Sequence, residues 1–244
     1  MTEPCAVLVT RPEPGLAETM AAVEAAGFTA LASPLLTLRP LRPALAPARA
    51  ALIQAILLTS GQAVNPLVAT CPTLRDRRVL AVGDATAQRA RNAGFGLVTS
   101  ASGDAPALAA LATRLLRPQD GPLLLACGQG QGIPLARALT GAGFDVVRQC
   151  VYAAEPVDAL SPAAIAAVQD HRLAASLFFS TETATTFCRV LPPALLPDLA
   201  GTRALAISPA AMEPLRDLGW RSVEAAAMPT AASMLSLLGQ CHRR

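Results

Sequence analysis

Short apolar runs alternate with amphipathic segments along almost the whole chain. The runs Ala6–Thr10 and Arg78–Val82 have the length and the Leu, Val and Ala content of strands buried on both faces of a sheet. Leu16–Ala26 and Ala85–Ala93 have helical spacing, and a glycine closes each of them. The same pattern predicts strands at Phe28–Leu31, Ala55–Thr59, Leu97–Ser100, Pro122–Ala126 and Asp145–Tyr152, and helices at Ala107–Leu116 and Leu135–Ala142. Strands that alternate with helices in this way predict an α/β fold with parallel sheets.

The chain also contains an internal repeat. Leu57–Ala63 resembles Phe178–Ala184, and Val79–Ala87 resembles Ala204–Met212. After Pro229 the second copy carries a single helix, whereas the first copy continues through a strand, a helix and another strand. A fixed order of similar segments indicates repeated structural units, so the two halves are predicted to share one arrangement of strands and helices.

The N-terminal segment matches the part that the second copy lacks. Ala6–Leu31 has the same order of strand, helix and strand as Leu123–Val147 and shares an Ala-Gly-Phe sequence with it. Pro34–Pro40 is bounded by prolines, which favours an edge strand or a connector. We therefore predict two doubly wound parallel-sheet domains joined by a two-strand connector. Domain one comprises residues 1–36 and 157–244 and is discontinuous, domain two comprises residues 41–150, and the connector strands are residues 36–40 and 149–156.

This architecture predicts where a ligand binds. In parallel α/β sheets, ligands bind beyond the carboxyl ends of the strands. Two such domains on a hinge are expected to leave a cleft wide enough for a large ligand.

The composition excludes several classes of protein. The chain has 244 residues, of which 52% are hydrophobic and 15% charged, so it can bury a sizeable core and is not a disordered chain. Aromatic residues make up 3%, and the basic residues form no tract, so we expect no nucleic-acid partner. All 20 basic residues are arginine, which excludes a Schiff-base lysine and suits carboxylate or phosphate ligands.

Cysteine and histidine are too dispersed to predict a metal site. Six cysteines occur without a C-x-x-C pair, and His171 and His242 lack metal-ligand spacing. Free thiols in a reducing cytosol are the expected state. The N-terminal apolar run is too short for a signal peptide, and polar residues interrupt the uncharged stretch Ala50–Leu74. We expect a cytoplasmic protein that does not cross a membrane.

Small and hydroxyl-bearing residues stand where predicted strands end and helices begin. They are Thr10-Arg11-Pro12, Thr59-Ser60, Gly83, Cys127-Gly128-Gln129-Gly130 and Ser180-Thr181. Helix N-termini offer free N–H groups to anions, but Ser, Thr and Gly at these positions are also ordinary helix caps. The turn Gly128-x-Gly130-x-Gly132 is not the dinucleotide-binding spacing, which leaves an anion cradle or a plain tight turn.

Tyr152 is the single tyrosine of the chain and lies on the predicted connector. Its hydroxyl is a candidate proton donor in the cleft. The alternative is a half-buried strand tyrosine, which is common for this residue type. We find no Ser-His-Asp arrangement and no paired acidic residues at strand ends.

Taken in order, these motifs resemble the uroporphyrinogen-III synthase family over essentially the whole chain. The matching segments are Val9-Thr10-Arg11-Pro12, Leu58-Thr59-Ser60, Val82-Gly83 with Thr86-Ala87, Gly103-Asp104, Val151-Tyr152 and Pro229-Thr230. The family often has Arg-Gly where this chain has Cys127-Gly128, and glycine where Ser208 precedes Pro209.

The resemblance implies a lyase that cyclises hydroxymethylbilane to uroporphyrinogen III, with inversion of ring D through a spiro intermediate and loss of water. It implies a linear substrate with eight carboxylates, no cofactor, no metal, and a monomer. It also implies that Tyr152 is the acid. The implied substrate-binding residues are Thr10, Arg11, Pro12, Thr59, Ser60, Gly83, Thr86, Gly103, Asp104, Cys127, Gly128, Gly130, Ser180, Thr181, Ser208, Pro209 and Thr230. Two alternatives stay open: a two-lobed sensor that binds a small molecule without catalysis, and a nucleotide-dependent enzyme.

Overall fold

The computed structural model describes residues 5–13, 15–43 and 45–241. His242 therefore lies outside the described residues. The strands are β1 Ala6–Val9, β2 Thr29–Ala32, β3 Leu36–Pro40, β4 Ala55–Leu58, β5 Arg78–Ala81, β6 Val98–Ser100, β7 Leu123–Gly128, β8 Val146–Pro156, β9 Leu173–Phe178, β10 Arg203–Ala206 and β11 Ser222–Ala225. The helices are α1 Gly15–Ala25, α2 Pro47–Leu52, α3 Val64–Thr70, α4 Asp84–Asn92, α5 Ala105–Leu115, α6 Ile133–Gly141, α7 Pro162–Gln169, α8 Thr181–Val190, α9 Pro209–Met212 and α10 Ala231–Leu238.

Packing divides the chain into two compact units. Unit 1 comprises residues 1–37 and 155–244, and unit 2 comprises residues 38–154. The division falls inside β3 and inside β8, so the chain passes between the units in these two strands. β3 is the edge strand beside β8, as the proline-bounded segment predicted.

The two sheets have equivalent strand orders. Unit 1 contains the five-stranded sheet β11-β10-β9-β1-β2, and the six-stranded sheet has the order β3-β8-β7-β4-β5-β6. If β9, β10 and β11 are the counterparts of β4, β5 and β6, and β1 and β2 those of β7 and β8, the two orders are the same apart from the additional edge strand β3. The predicted repeat is therefore confirmed at the level of topology, and the α/β fold with two parallel sheets is confirmed with it.

Both faces of each sheet are buried. In β1, Ala6 and Leu8 pack into one apolar cluster and Val7 and Val9 into another, on the opposite face. In β4, Ile56 and Leu58 face one cluster and Ala55 and Leu57 the other. This alternation follows from the two-residue repeat of a strand, and it explains why β1 and β4 are apolar at every position.

Each unit contains a point where the crossovers diverge to opposite sides of the sheet. In unit 1 it lies between β1 and β9, which are parallel with Val9 opposite Leu177. In unit 2 it lies between β4 and β7, which are parallel with Leu58 opposite Ala126. Ligands of doubly wound sheets bind at such a point, outside the carboxyl ends of the two strands.

Within the described residues, none of the helices is both long and apolar enough to cross a membrane.

Candidate functional site

The predicted binding residues follow the carboxyl ends of the parallel strands in each unit. In unit 1 the segments after β1 and β9 flank the divergence point, and in unit 2 those after β4 and β7 do so. Some side chains in these segments hydrogen-bond to the protein backbone and stabilise the fold. Others carry a polar group that suits a ligand.

Thr10 holds the divergence point of unit 1 together. Its side chain is fully buried, and its hydroxyl donates a hydrogen bond of 2.6 Å to the carbonyl oxygen of Leu177 on β9. Pro12 is also buried. A buried hydroxyl bonded to a neighbouring strand positions the loop that follows, and this loop carries two charged residues, Arg11 and the exposed Glu13, whose carboxylate accepts from the Ala17 amide at 3.4 Å.

The Arg11 guanidinium lies across the start of α1. It donates to the Thr19 hydroxyl at 3.3 Å and lies 4.4 Å from the ring centroid of Phe179, just after β9. A Cβ at Gly15 would overlap the guanidinium carbon, so glycine provides the space for this arrangement. The guanidinium charge thus adds to the partial positive charge of a helix N-terminus, which favours an anion.

Unit 2 has a comparable arrangement that the sequence did not predict. Ser60, after β4, accepts a hydrogen bond from the Gln62 amide and begins the short turn Gly61–Ala63. A Cβ at Gly61 would come within 2.7 Å of Arg89 side-chain atoms, so this arginine of α4 packs on the turn. An arginine again lies on a glycine beside the divergence point. Arg89 follows Thr86 by one helical turn, but one turn of spacing is too common a signal to single it out.

Several of the other predicted binding residues are helix caps. Hydroxyl or carboxyl side chains accept from backbone amides at 3.0–3.3 Å in four helices: Asp104 from Ala107, Ser180 from Thr183, Ser208 from Ala211 and Thr230 from Ser233. Ser180 and Thr183 form a reciprocal capping box. Gly83 is the residue before α4, while Thr181 and Pro209 are the first residues of their helices. The capping alternative raised from the sequence is therefore realised at these positions.

The ends of β5 and β6 carry negative charge. Asp84 begins α4, and hydrogen bonds from Ser100 and Ser102 hold the pKa of its carboxyl below the usual value. Asp104 is the N-cap of the next helix, α5, and is exposed. Two carboxylates at this edge disfavour an anionic group beside Gly83 and Gly103.

Tyr152 lies deep in unit 2. Its side chain is 1% exposed and packs in the apolar cluster that contains Ile56 and Leu58. The phenol hydroxyl donates a hydrogen bond of 3.0 Å to Oε1 of Gln131. A Cβ at Gly128 would lie 2.8 Å from the ring, so this glycine permits the close approach. In this conformation the residues of the β7–α6 loop cover the hydroxyl, and the sequence pattern contained no signal for that cover.

The loop that covers Tyr152 is built on glycine. Gly130 and Gly132 have φ values of 76° and 77°, a region that favours glycine, and they flank the exposed Gln131. The Gln131 carbonyl accepts from Arg148 at 2.9 Å and from the Cys127 thiol at 3.3 Å. The glycines thus serve as a tight turn in this structure, and the Gln131 side chain at the tip reaches back to the phenol.

Cys127 is fully buried, and burial raises the pKa of its thiol. The Arg148 guanidinium, on the neighbouring strand β8, lies 3.8 Å from the Cys127 sulfur and 3.3 Å from that of Cys150. An arginine of β8 therefore reaches the position where the family often has an arginine on β7. The sequence did not identify Arg148, because its proximity arises from strand pairing.

Among the described residues, no three His, Cys, Asp or Glu side chains lie close enough to hold a metal ion together.

These features define a class of two-unit, doubly wound α/β protein with arginine and capped helix starts at both divergence points. The model of the family described as uroporphyrinogen-III synthase HemD matches residues 17–236. The chain therefore belongs to the uroporphyrinogen-III synthase family, whose members are cyclising lyases of tetrapyrrole biosynthesis.

Two solved structures show the same fold at low sequence identity. One is uroporphyrinogen-III synthetase from Helicobacter pylori 26695, with 17% identity, a TM-score of 0.64, and coverage of 97% of this chain and 98% of that chain. The other is a mutant uroporphyrinogen III synthase from the extremely thermophilic bacterium Thermus thermophilus, with 21% identity, a TM-score of 0.50, and coverage of 95% and 96%. No curated protein sequence matches the chain significantly.

The caps allow a test of Asp104. Because its carboxylate accepts from the Ala107 amide, we expect Asp104→Ala to lower the free energy of unfolding by about 1 kcal/mol. Asp104→Ser retains a capping oxygen and is expected to stay within about 0.5 kcal/mol of the parent. Urea unfolding measures both. Equal losses in the two variants would show that the charge, and not the cap, is what stabilises α5.

Proposed function

We propose that the chain converts linear hydroxymethylbilane into uroporphyrinogen III, with inversion of ring D and loss of water. The family match over residues 17–236 is the observation that carries this proposal. The substrate we propose carries eight carboxylates, and we propose that a cytoplasmic monomer without a cofactor binds it. We further propose that the two compact units are the domains predicted from the sequence.

We assign the carboxylates to arginine and to helix N-termini at the divergence points. Arg11 and Arg89 lie beside β1 and β4, and Arg148 lies beside the end of β7. Arginine binds carboxylates through paired N–H donors, and this chain offers no lysine in its place. The hydroxyls at the strand ends already cap their own helices, so they orient amides toward the ligand more than they bind it. Thr10, Thr86, Cys127 and Gly128 are buried, and we propose that they position these loops.

We propose that Tyr152 donates the proton with which the substrate hydroxyl leaves as water. For this step the Gln131 side chain must release the phenol, and the flanking Gly130 and Gly132 permit that movement of the loop. The alternative is that backbone amides and a water molecule assist departure, because an electron-rich pyrrole expels the hydroxyl readily. No observation favours a sensor without catalysis.

The first test is the isomer that the protein produces. We expect incubation with hydroxymethylbilane to yield uroporphyrinogen III, because spontaneous closure without ring inversion yields the I isomer. Oxidation to the porphyrins and chromatographic separation measure the ratio. Heat-denatured protein is the control and should yield the I isomer. The I isomer alone from folded protein would contradict the proposed function.

A second test concerns the charge of Arg11. Loss of one charge-assisted contact in Arg11→Gln is expected to raise KM about tenfold with a smaller change in kcat. The KM of the parent should also rise with ionic strength, and more steeply than that of Arg11→Gln. Arg221→Gln is the matched control, because Arg221 is exposed at the opposite, amino end of the same sheet, before β11. A KM that is unchanged in Arg11→Gln and at high salt would contradict the proposal that the charge of Arg11 binds a substrate carboxylate.

A third test separates chemistry from packing at Tyr152. A positioned general acid contributes about a hundredfold or more in rate, so we expect Tyr152→Phe to lower kcat by about that factor. The lost hydrogen bond to Gln131 should reduce the free energy of unfolding by only about 1 kcal/mol.

Gln131→Ala is the control for this variant, because it removes the same hydrogen bond and keeps the phenol. We expect it to retain most of kcat. If Tyr152→Phe retains more than about a third of kcat, which is a deficit below ~0.7 kcal/mol in activation free energy, the general-acid role is wrong and assisted departure by amides and water is favoured.

A further inference from the structure

Two cysteines that are far apart in sequence meet at the amino end of β1. The sulfur atoms of Cys5 and Cys241 lie 2.7 Å apart, although the two residues are separated by 236 positions in the sequence. Sulfur atoms in a disulfide are about 2.05 Å apart, so a small adjustment brings the pair to bonding distance.

Backbone hydrogen bonds fix both cysteines against one turn. The Cys5 carbonyl accepts from the Thr29 amide at 2.8 Å, at the start of β2. The Cys241 amide donates to the Ala26 carbonyl at 3.0 Å, at the end of α1. The α1–β2 turn therefore determines where both sulfur atoms lie, and their proximity does not depend on side-chain rotation alone.

Gly27 provides the space for Cys241. A Cβ at Gly27 would lie 3.0 Å from the Cys241 carbonyl oxygen and 3.7 Å from its Cβ. The φ value of Gly27 is 89°, which suits glycine at the end of a helix. The glycine that the sequence predicted as a helix cap thus also lets the segment after α10 lie against the turn.

Both cysteines of this pair are accessible to solvent. Cys5 and Cys241 are partly exposed, whereas Cys71 and Cys127 are buried. Burial also raises the pKa of the Cys188 thiol, which lowers its thiolate fraction. Accessibility to a small oxidant and a nearby second thiol are the two conditions for forming a disulfide.

We propose that Cys5 and Cys241 form a reversible disulfide by exchange with a small-molecule disulfide such as oxidised glutathione. One cysteine thiolate attacks a sulfur of glutathione disulfide, forming a mixed disulfide and releasing one glutathione thiolate. The second cysteine thiolate then attacks the protein sulfur of the mixed disulfide, forming the Cys5–Cys241 bond and releasing the other glutathione. The two cysteines lose two electrons and two protons, and one glutathione disulfide becomes two thiols.

This bond would join two segments of unit 1 that only noncovalent packing holds together. Cys5 precedes β1, and Cys241 follows α10, whose Met234 and Leu238 pack with Val7 and Val9 of β1. The disulfide would hold α10 on the sheet. It lies at the amino end of β1, opposite Arg11, so we expect it to change stability and to leave the proposed carboxylate site intact.

The test treats the folded full chain with oxidised glutathione, blocks free thiols with N-ethylmaleimide and digests without reduction. Trypsin cuts after arginine but not before proline, so Cys5 is the only cysteine of peptide 1–49 and Cys241 the only one of peptide 222–243. We expect these two peptides as a linked pair that dithiothreitol separates. We also expect oxidation to raise Tm by about 5–10 °C.

Serine variants separate this pair from the other thiols. In Cys5→Ser and in Cys241→Ser, the linked pair and the rise in Tm should both be absent. Cys150→Ser, at another partly exposed cysteine, should retain both. Complete blocking of Cys5 and Cys241 by N-ethylmaleimide after oxidation, or a linked pair only in protein oxidised in guanidinium, would overturn the proposal. So would an equal rise in Tm in Cys5→Ser.

Discussion

Two strand pairings support the rest of this molecule: β1 with β9 in unit 1, and β4 with β7 in unit 2. Each joins strands that are far apart in sequence, and from each the crossovers leave to opposite sides of the sheet. Such pairing is possible only if both faces of the strands are covered, which explains their predominantly apolar composition. It also places two loops side by side at the carboxyl edge. The hydroxyl of Thr10 donates a hydrogen bond to the Leu177 carbonyl and so links the ends of β1 and β9.

The polar groups at this edge divide into two kinds. Hydroxyl and carboxyl side chains such as Ser180 and Asp104 satisfy amides at the starts of their own helices. The guanidinium groups of Arg11 and Arg89 pack over glycines, Gly15 and Gly61. Helix capping thus stabilises the framework, and we propose that the arginines bind the carboxylates of the ligand. The two units use the same physical arrangement although different elements carry their arginines.

A hydrogen bond connects Tyr152 to the β7–α6 loop. The phenol is buried, and its hydroxyl is bonded to the side chain at the tip of a turn with two glycines at positive φ. If the phenol acts in the reaction, access to it depends on that turn. In that case the reaction at the phenol requires movement of the β7–α6 loop.

The sequence by itself determined the type and order of the elements, because burial on two faces requires apolar strands and because glycine and proline mark where helices and strands end. The proline-bounded segment, predicted as an edge strand or a connector, forms the edge strand β3. β8 joins the predicted strand 145–152 and the predicted connector strand 149–156 in one continuous strand. The repeat predicted that the two halves share one arrangement of elements, and their strand orders are equivalent. The residues at the strand ends were identified as well, since caps and binding loops share the same residue types. The individual roles of these residues were not identified, because a helix-capping residue and a ligand-binding residue can be of the same type in the sequence. Only the tertiary structure decided that Gln131 covers Tyr152, that Arg89 and Arg148 reach the divergence point of unit 2, and that Cys5 meets Cys241. Each of these depends on contacts between residues brought together by packing and strand pairing, which no local pattern encodes.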